Sequence, residues 1–399
     1  MSKRIAIIGT GLMGWGGGID FLIDFIRIFT LHPEEYECEV FLPNDGIIER
    51  ILRKIVKKED IKQKEERIIW CLRNECPDIP IIKYNKKLLT RHRKYEKIKE
   101  LAKTRRIDFL MPMNALLNGI MDKRYITIGY IVDFQHKHLP HLFSEEEINK
   151  RDLYFEKIVN YYDFAFTQSK DTINDIRKYY GAIADSIYVM YDYPHEIVVE
   201  NNQSADVLKK YNITNPYFMV CNQFWEHKDH KVVFDALEIL YKRGYNKINI
   251  VCTGDTNDYR NPDYFSSLMK HVSEMHCSKN IMVLGFIDKR DQISLMKNSI
   301  SLVQPTLFEG NPGGGSVVDA EACGVPCIVS DIPVNLEIPK CYDTKFFKAG
   351  NADDLAAVME SAIENYNPKI PYYGKSDYEL FYREYDSVMK DMIKRKSCI

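Results

Sequence analysis

A chain of 399 residues exceeds one ordinary core and fits two domains. With 45% hydrophobic and 28% charged residues it is globular in composition, which excludes a disordered or fibrous protein. The net charge of −2 gives no global reason to bind nucleic acid, and no run of 18 apolar residues offers a spanning helix.

In chain order, MSKRIAIIG has a charged start that breaks at glycine, with no small-residue cleavage site after it. It reads as a first strand rather than a signal peptide. The apolar runs KRIAIIG (3–9), ECEVFLP (37–43), DFLMPM (108–113), YITIGYIVD (125–133) and FAFTQS (164–169) alternate with helical stretches such as Ile19 to Phe29. Continuous apolar runs between helices mark parallel strands covered on both faces. After Gly181 the pattern loosens into DYPHEIVVENNQSADVLKKYNITNP, a linker. Alternation resumes with YFMVCN (217–222), a helix near Val232–Tyr241, INIVCTG (248–254), a helix near Tyr264–Met275, IMVLGF (281–286), SISLVQP (299–305) and CIVSDIP (327–333). The segment DYELFYREYDSVMKDMIKRK forms a last amphipathic helix.

The expected architecture is therefore α/β, with two Rossmann-like doubly wound domains. Residues 1–190 form the first, 191–215 the linker and 216–375 the second, while 376–399 is a helix able to pack back on the first. Ten cysteines include no C-x-x-C pair, and several lie inside apolar runs. They read as buried reduced thiols in a reducing cytoplasm, not as a disulfide framework or metal cluster.

Gly9, Gly11 and Gly14 match the dinucleotide fingerprint G-x-G-x-x-G, but Gly16, Gly17 and Gly18 follow at once. Inside a helix each would cost about 1 kcal/mol relative to alanine, so a long loop with a helix starting near Ile19 is the cheaper solution. Phe21, Leu22, Phe25, Ile26 and Phe29 then form the apolar stripe. A glycine loop feeding a helix offers backbone N–H groups to an anion, and Gly16, Gly17 and Gly18 are candidates for that contact. A tight strand-to-helix turn with no ligand is the plain alternative.

The most informative segment is QPTLFEGNPGGGSVVDAEACGVPCIVSDIPVNLEI, residues 304–338. Ser316-Val317-Val318-Asp319 has the pattern of a capping box, with Gly324 as the residue past the helix end and Pro326 beyond it. Glu309 sits at a strand end, ahead of Gly313, Gly314 and Gly315. That order suits a phosphate on the helix N-terminus and a hydroxyl-rich group on the carboxylate.

The segment resembles the signature of glycosyltransferase family 4, retaining enzymes of GT-B fold whose two domains face each other across a cleft. There a Glu, glycines and a second Glu eight positions on precede A-x-A-C-G-x-P. The match A-E-A-C-G-V-P puts Asp319 at the second acid, ten residues after Glu309 rather than eight. In FMVCNQFWEHKDHKVVFDAL the family's G-R-x-x-x-x-K places Lys228 at the lysine, with Asn222 and Gln223 at the Gly and Arg. One cation thus stands where the family has two. In IVDFQHKHLP, His136 resembles the N-domain histidine aimed at the donor sugar, and Ser169 a position near the acceptor cleft.

The resemblance implies a hexosyltransferase that takes a nucleotide-diphosphate sugar, GDP-mannose or a UDP-hexose, as donor. The acceptor it implies is a glycan or lipid-linked glycan in surface polysaccharide or lipopolysaccharide assembly. Glu309 and His136 would be catalytic. Lys228, Gln223, Asn222, Gly313, Gly314, Gly315, Ser316 and Asp319 would bind the donor. No D-x-D pair occurs, consistent with chemistry that needs neither metal nor other cofactor. The stretch 83–106 carries eleven Lys or Arg against two Glu, a solvated face or a peripheral contact with anionic lipid on the inner face of the plasma membrane.

Plainer readings stand beside these. Glu309 can hold its own loop, Asp319 can serve only as a cap, and Lys228 can be solvated. His136, His138 and His141 have spacing that suits neither helix nor strand metal ligation. The rival functions are a GT-B nucleotide-sugar epimerase or inactive sugar-nucleotide binder and, more remotely, an NAD-dependent oxidoreductase using the first glycines and Asp45.

Overall fold

The computed structural model describes residues 2–9, 18–44, 68–85, 91–111, 122–181, 186–192, 194, 203–367 and 378–397. The first sheet contains β1 (Lys3–Ile8), β2 (Tyr36–Asn44), β3 (Ile81–Asn85), β4 (Phe109–Met111), β5 (Ile126–Tyr130), β6 (Phe164–Thr167) and β7 (Ile187–Val189), in the order β3-β2-β1-β4-β5-β6-β7. The second contains β8 (Tyr217–Cys221), β9 (Asn249–Thr253), β10 (Ile281–Val283), β11 (Leu302–Gln304), β12 (Cys327–Ser330) and β13 (Thr344–Phe347), in the order β10-β9-β8-β11-β12-β13. Every pairing is parallel. Strand order reverses between β1 and β4 in one sheet and between β8 and β11 in the other. A crevice opens at such a reversal, at the carboxyl ends of the strands.

Three strands were not foreseen: β3, β7 and β13. All three are sheet edges, and their partly exposed residues break the continuous apolar run that marks a strand covered on both faces. Part of the expected linker is a helix, Gln203–Lys210, with Val207 buried.

The first core forms where the helix Gly18–Thr30 lays Phe21, Leu22, Phe25, Ile26 and Phe29 on the sheet. Phe21 stacks on Tyr130 with ring centroids 5.1 Å apart. The helix Tyr378–Lys396 returns to this same core and buries Phe381, Tyr385, Met389 and Met392 in it, positions spaced to share one helix face. Tyr385 packs between Phe25 and Phe29, each centroid 6.0 Å away, and its hydroxyl donates to the Tyr191 carbonyl at 2.5 Å. No helix among the described residues is long and apolar enough to cross a membrane.

In the second half the helix Gly314–Cys323 buries Val317, Ala320 and Cys323 against the sheet. It also buries Glu321, which is 8% exposed and whose Oε1 finds no hydrogen-bond partner. Burial, and secondarily the nearby Asp192 carboxylate, pushes the Glu321 carboxyl up to about 8.

Two outcomes follow for stability. Tyr385→Ala should cost about 3 kcal/mol and lower the urea midpoint of the first half, while Tyr385→Phe, which loses only the hydroxyl, should cost about 1 kcal/mol. For Glu321, the unfolded chain ionises near the usual carboxylate value of about 4.3 while the folded chain keeps its proton to about 8. The folded state then binds more protons in that window, so stability falls as pH rises through it. Glu321→Gln should leave the melting temperature nearly unchanged at pH 5 and raise it at pH 8.5. A gap that fails to widen between the two would contradict the assignment.

Candidate active site

Two loops meet at the strand-order reversal of the second sheet. The one after β8 runs through a single 3-10 turn, Glu226–Lys228, to Asp229, whose left-handed backbone (φ 42°) lets it cap the helix His230–Lys242. The one after β11 runs from Gln304 to Glu309. They are tied together because the His227 carbonyl accepts from Leu307 N–H at 2.8 Å and from Thr306 Oγ1 at 3.3 Å. Across this tie Lys228 Nζ donates to Glu309 Oε1, with the two side chains only 13% and 12% exposed. Beside them His227 is buried, which, with the Lys228 and Arg260 charges, drives its pKa down to about 2 and keeps the ring neutral.

Glu309 is steadied from below by a residue that the sequence pattern did not single out. Gln304, 1% exposed at the end of β11, uses Nε2 to reach Glu309 Oε1 at 3.3 Å, the Gly313 carbonyl at 2.9 Å and Ser316 Oγ at 3.4 Å. Its Oε1 accepts from Asn222 Nδ2. Asn222 is therefore a support of the amide that positions Glu309, while its neighbour Gln223 faces the cleft. The only hint in the sequence was a polar residue closing an apolar strand.

The glycine loop departs from the expected cap. The helix begins at Gly314 with Gly313 as its N-cap, two residues before Ser316, and no capping box forms. Gly313 and Gly314 adopt φ of 72° and 68°, a region open to glycine, and this tightens the turn. Asn335 Oδ1 accepts from Gly313 N–H at 2.9 Å. A Cβ on Gly314 would stand 3.2 Å from both Gln304 Nε2 and Glu309 Oε1, whereas one on Gly315 would meet nothing within 4 Å. The first-turn N–H groups at Gly315 and Ser316 have no acceptor within the helix. Asp319, freed of capping, instead pairs with Lys289 Nζ while being only 9% exposed.

On the opposite wall His136 does not reach the cleft. It lies in the short helix Gln135–His138, where Gln135 faces the cleft and His136 packs between Phe134, Phe143 and Phe155. Its exposure is 0%, Nε2 sits 2.9 Å from Asp152 Oδ1, and burial lowers its pKa. His138 pairs with a different carboxylate, Asp175, at 2.7 Å. The group that reaches the cleft from this strand end is Asp133, which accepts from Gln135 N–H at 2.9 Å and from Arg151 Nη1 at 3.3 Å. Of the first glycine loop, Gly18 opens the helix Gly18–Thr30, while Gly16, Gly17 and Asp45 lie outside the described residues.

The two halves are in contact around this site. Ser169 Oγ caps the helix Lys170–Tyr180 and donates to the Gly310 carbonyl at 3.0 Å. Glu337 accepts from Lys170 N–H at 2.8 Å, Asp171 N–H at 2.7 Å and Tyr191 OH at 3.0 Å. Arg260 donates to Gln135 Oε1 at 3.1 Å and stands 4.7 Å over the Trp225 ring. Between these ties lies a cleft of about 490 Å³, lined from one side by Asp133, Gln135, Arg151 and Gln168 and from the other by Gln223, Lys228 and Glu309. That volume suits a small polar substrate. A second cavity, of about 400 Å³ beside Lys3, Arg124 and Lys396, lies at the far end of the first sheet, where these three cations are already paired with Asp108, Asp122 and Asp163.

Residues 204–376 match the family model of glycosyl transferases group 1. No curated protein sequence matches the chain. Among solved structures, HepE of Anabaena in complex with UDP-glucose is 14% identical, with a TM-score of 0.66 over 100% of both chains. A glycosyltransferase of Rickettsia africae is 13% identical, with a TM-score of 0.67 over 98% of this chain and 99% of its own. The lipopolysaccharide outer core galactosyltransferase WaaB, in its apo form, is 16% identical, with a TM-score of 0.59 over 98% and 99%. These likenesses show the two-domain GT-B fold. With a group 1 domain over residues 204–376 and that fold over its length, the chain is a glycosyltransferase.

Proposed function

We propose that the chain is a retaining hexosyltransferase of the family 4 type, moving a hexose from a nucleoside-diphosphate sugar to a glycan or lipid-linked glycan. The observation that carries the reading is the Lys228–Glu309 pair set beside Gly314, at the N-terminus of the helix Gly314–Cys323. An ammonium and helix N–H groups suit a diphosphate, and a carboxylate a few residues away suits sugar hydroxyls. HepE, crystallised with UDP-glucose, supports a UDP-hexose over GDP-mannose as donor. WaaB, a lipopolysaccharide galactosyltransferase, supports surface-glycan assembly as the setting. The basic stretch 83–106 supports a peripheral contact with anionic lipid at the inner face of the membrane.

In the transfer, the bond from the anomeric carbon to the diphosphate oxygen breaks. A bond to an acceptor hydroxyl forms on the same face, and the hydroxyl proton passes to the departing phosphate. No side chain need carry that proton. The protein's part is position and charge: Lys228 and the Gly313–Ser316 turn meet the charge growing on the leaving group, and Glu309 turns from Lys228 to the hexose hydroxyls. Asp133, with Gln135 and Arg151, forms the wall facing them, in the role first given to His136.

Glu309→Ala should abolish turnover while leaving the circular dichroism spectrum of the parent, and Glu309→Gln should lose at least 100-fold, as expected for a charge-assisted contact made in the transition state. Near-normal nucleotide release in the presence of acceptor by either variant would overturn the assignment. Gly310 offers a second check, because an added Cβ would stand 2.6 Å from the Val132 carbonyl and 3.0 Å from Asp133 Cβ. Gly310→Ala should wedge the halves apart, cutting kcat at least tenfold with little change in the affinity for UDP measured by calorimetry.

A further inference from the structure

We propose that His227 is a neutral hydrogen-bond donor to the sugar nucleotide, its Nε2–H reaching an oxygen of the hexose or of the diphosphate, and that Arg260 is the positioning residue that aims it. The inference rests on the transferase reading and adds one contact to the cleft already described.

Hydrogen-bond roles decide the tautomer. Arg260 Nη2 stands 3.3 Å from His227 Nδ1, and a guanidinium has donors only, so Nδ1 must accept. A neutral imidazole that accepts at Nδ1 carries its proton on Nε2. The ring is neutral because it is buried and flanked by the Lys228 and Arg260 cations, which hold its pKa down to about 2. The residue is 4% exposed, yet it lines the cleft between the halves. Among the described residues nothing bonds Nε2, and that nitrogen is not sealed in the interior. Its open side is the cleft. A polar atom so nearly covered and still without a protein partner is placed to meet a ligand there.

The guanidinium that sets this tautomer is itself held from several sides. Arg260 Nε donates to Asp258 Oδ1 at 3.3 Å and Nη1 to Gln135 Oε1 at 3.1 Å. Its plane stands 4.7 Å over the Trp225 ring and 5.5 Å from that of Phe143. Gln135 and Phe143 belong to the first half, so the aim of the His227 ring is complete only with the halves together. The neutral ring also differs from Lys228 in what it must give up. Lys228 leaves Glu309 before it can take a substrate oxygen, whereas the Nε2–H has no partner to lose. A group that only donates complements Glu309, a carboxylate that only accepts. A sugar hydroxyl does both, and a cleft that offers one group of each kind can satisfy it twice. A phosphate oxygen beside Lys228 is the other acceptor within the same chemistry.

Asparagine and glutamine separate the two ring nitrogens. In His227→Asn an amide oxygen near the Nδ1 position still accepts from Arg260, but no N–H reaches the Nε2 position. His227→Gln is longer and returns that donor. Calorimetry of the parent with UDP-glucose, GDP-mannose and ADP-glucose identifies the sugar nucleotide that binds, and each is measured beside its nucleoside diphosphate. His227→Asn should weaken that sugar nucleotide about tenfold, the upper range of one neutral hydrogen bond, and His227→Gln should stay within about threefold of the parent. A loss confined to the sugar nucleotide assigns the N–H to a hexose hydroxyl, and an equal loss with the diphosphate alone assigns it to a phosphate oxygen. An unchanged affinity in His227→Asn would overturn the proposal, because the ring would then serve only as an acceptor for Arg260. His227→Gln binding no better than His227→Asn would overturn it as well. Nitrogen NMR of the parent ring is a check that needs no variant: Nε2 should be protonated and Nδ1 bare, and the reverse tautomer would sink the idea. In Arg260→Met both ring nitrogens should move toward mixed protonation, and unchanged signals would remove Arg260 from its role. If the parent binds none of the three sugar nucleotides, the transferase reading itself falls and takes this inference with it.

Discussion

The contact between Lys228 and Glu309 is the one on which the rest of the cleft depends. It joins loops that leave adjacent strands, β8 and β11, at the point where strand order reverses, and it does so with both side chains largely covered. A pair this buried is strongly disturbed when one partner is removed, since the remaining charge keeps its desolvation cost. The supports around it agree with that weight. The His227 carbonyl holds the second loop, Gln304 fixes the carboxylate, and neutral His227 adds no competing positive charge beside Lys228. A ligand entering here must offer each partner something at least as good, a phosphate for the ammonium and hydroxyls for the carboxylate.

The same loop also touches the other half. Gly310 follows Glu309 directly, and its backbone lies against Val132 and Asp133 with no space for a side chain. Ser169 bonds its carbonyl, and Glu337 caps a helix of the other half. Glu309 therefore reports on closure: the segment that would hold the sugar is the segment that seats the first domain. The lining of the cleft is complete only in this closed arrangement, with Asp133 and Gln135 brought opposite Gln223 and Lys228. Closure of this kind excludes water from a reaction in which water is a competing acceptor.

How far the sequence carried these features follows from what each residue is asked to do. Central strands were legible because both faces are buried and their apolar runs are unbroken. β3, β7 and β13 were not, because an edge strand needs no such run. Glu309 was legible as an acid ahead of a run of glycines, and Lys228 only through the resemblance to the family's G-R-x-x-x-x-K. Gln304 was hidden because its task is to support another side chain. The capping pattern at Ser316 misled because local chemistry was overruled by Gly313 and Gly314, whose positive φ starts the helix earlier and leaves Asp319 for Lys289. His136 misled in another way. In a short helix neighbouring residues point in different directions, so one position separates a residue that faces the cleft, Gln135, from one sealed among aromatic rings.

Among the described residues three carboxylates line the cleft, and two of them are matched by a cation, Glu309 by Lys228 and Asp133 by Arg151, while Asp255 accepts from Asn257 N–H. At Arg151–Asp133 the cation is the more exposed partner, and at Lys228–Glu309 the two are covered alike. Such pairing means that folding does not leave these two carboxylates as isolated charges out of water. It also holds the groups close to where they would be needed, because a diphosphate sugar brings both anionic oxygens and hydroxyls and can split a pair into two new contacts of the same kinds. Binding on this scheme trades ion pairs for charge-assisted hydrogen bonds of similar strength, so little binding energy is gained from the ground state. The gain comes later, when the anomeric bond breaks and negative charge grows on the diphosphate. At that moment the Lys228 ammonium released from its carboxylate is worth most, and the cost of orienting it has already been met in folding.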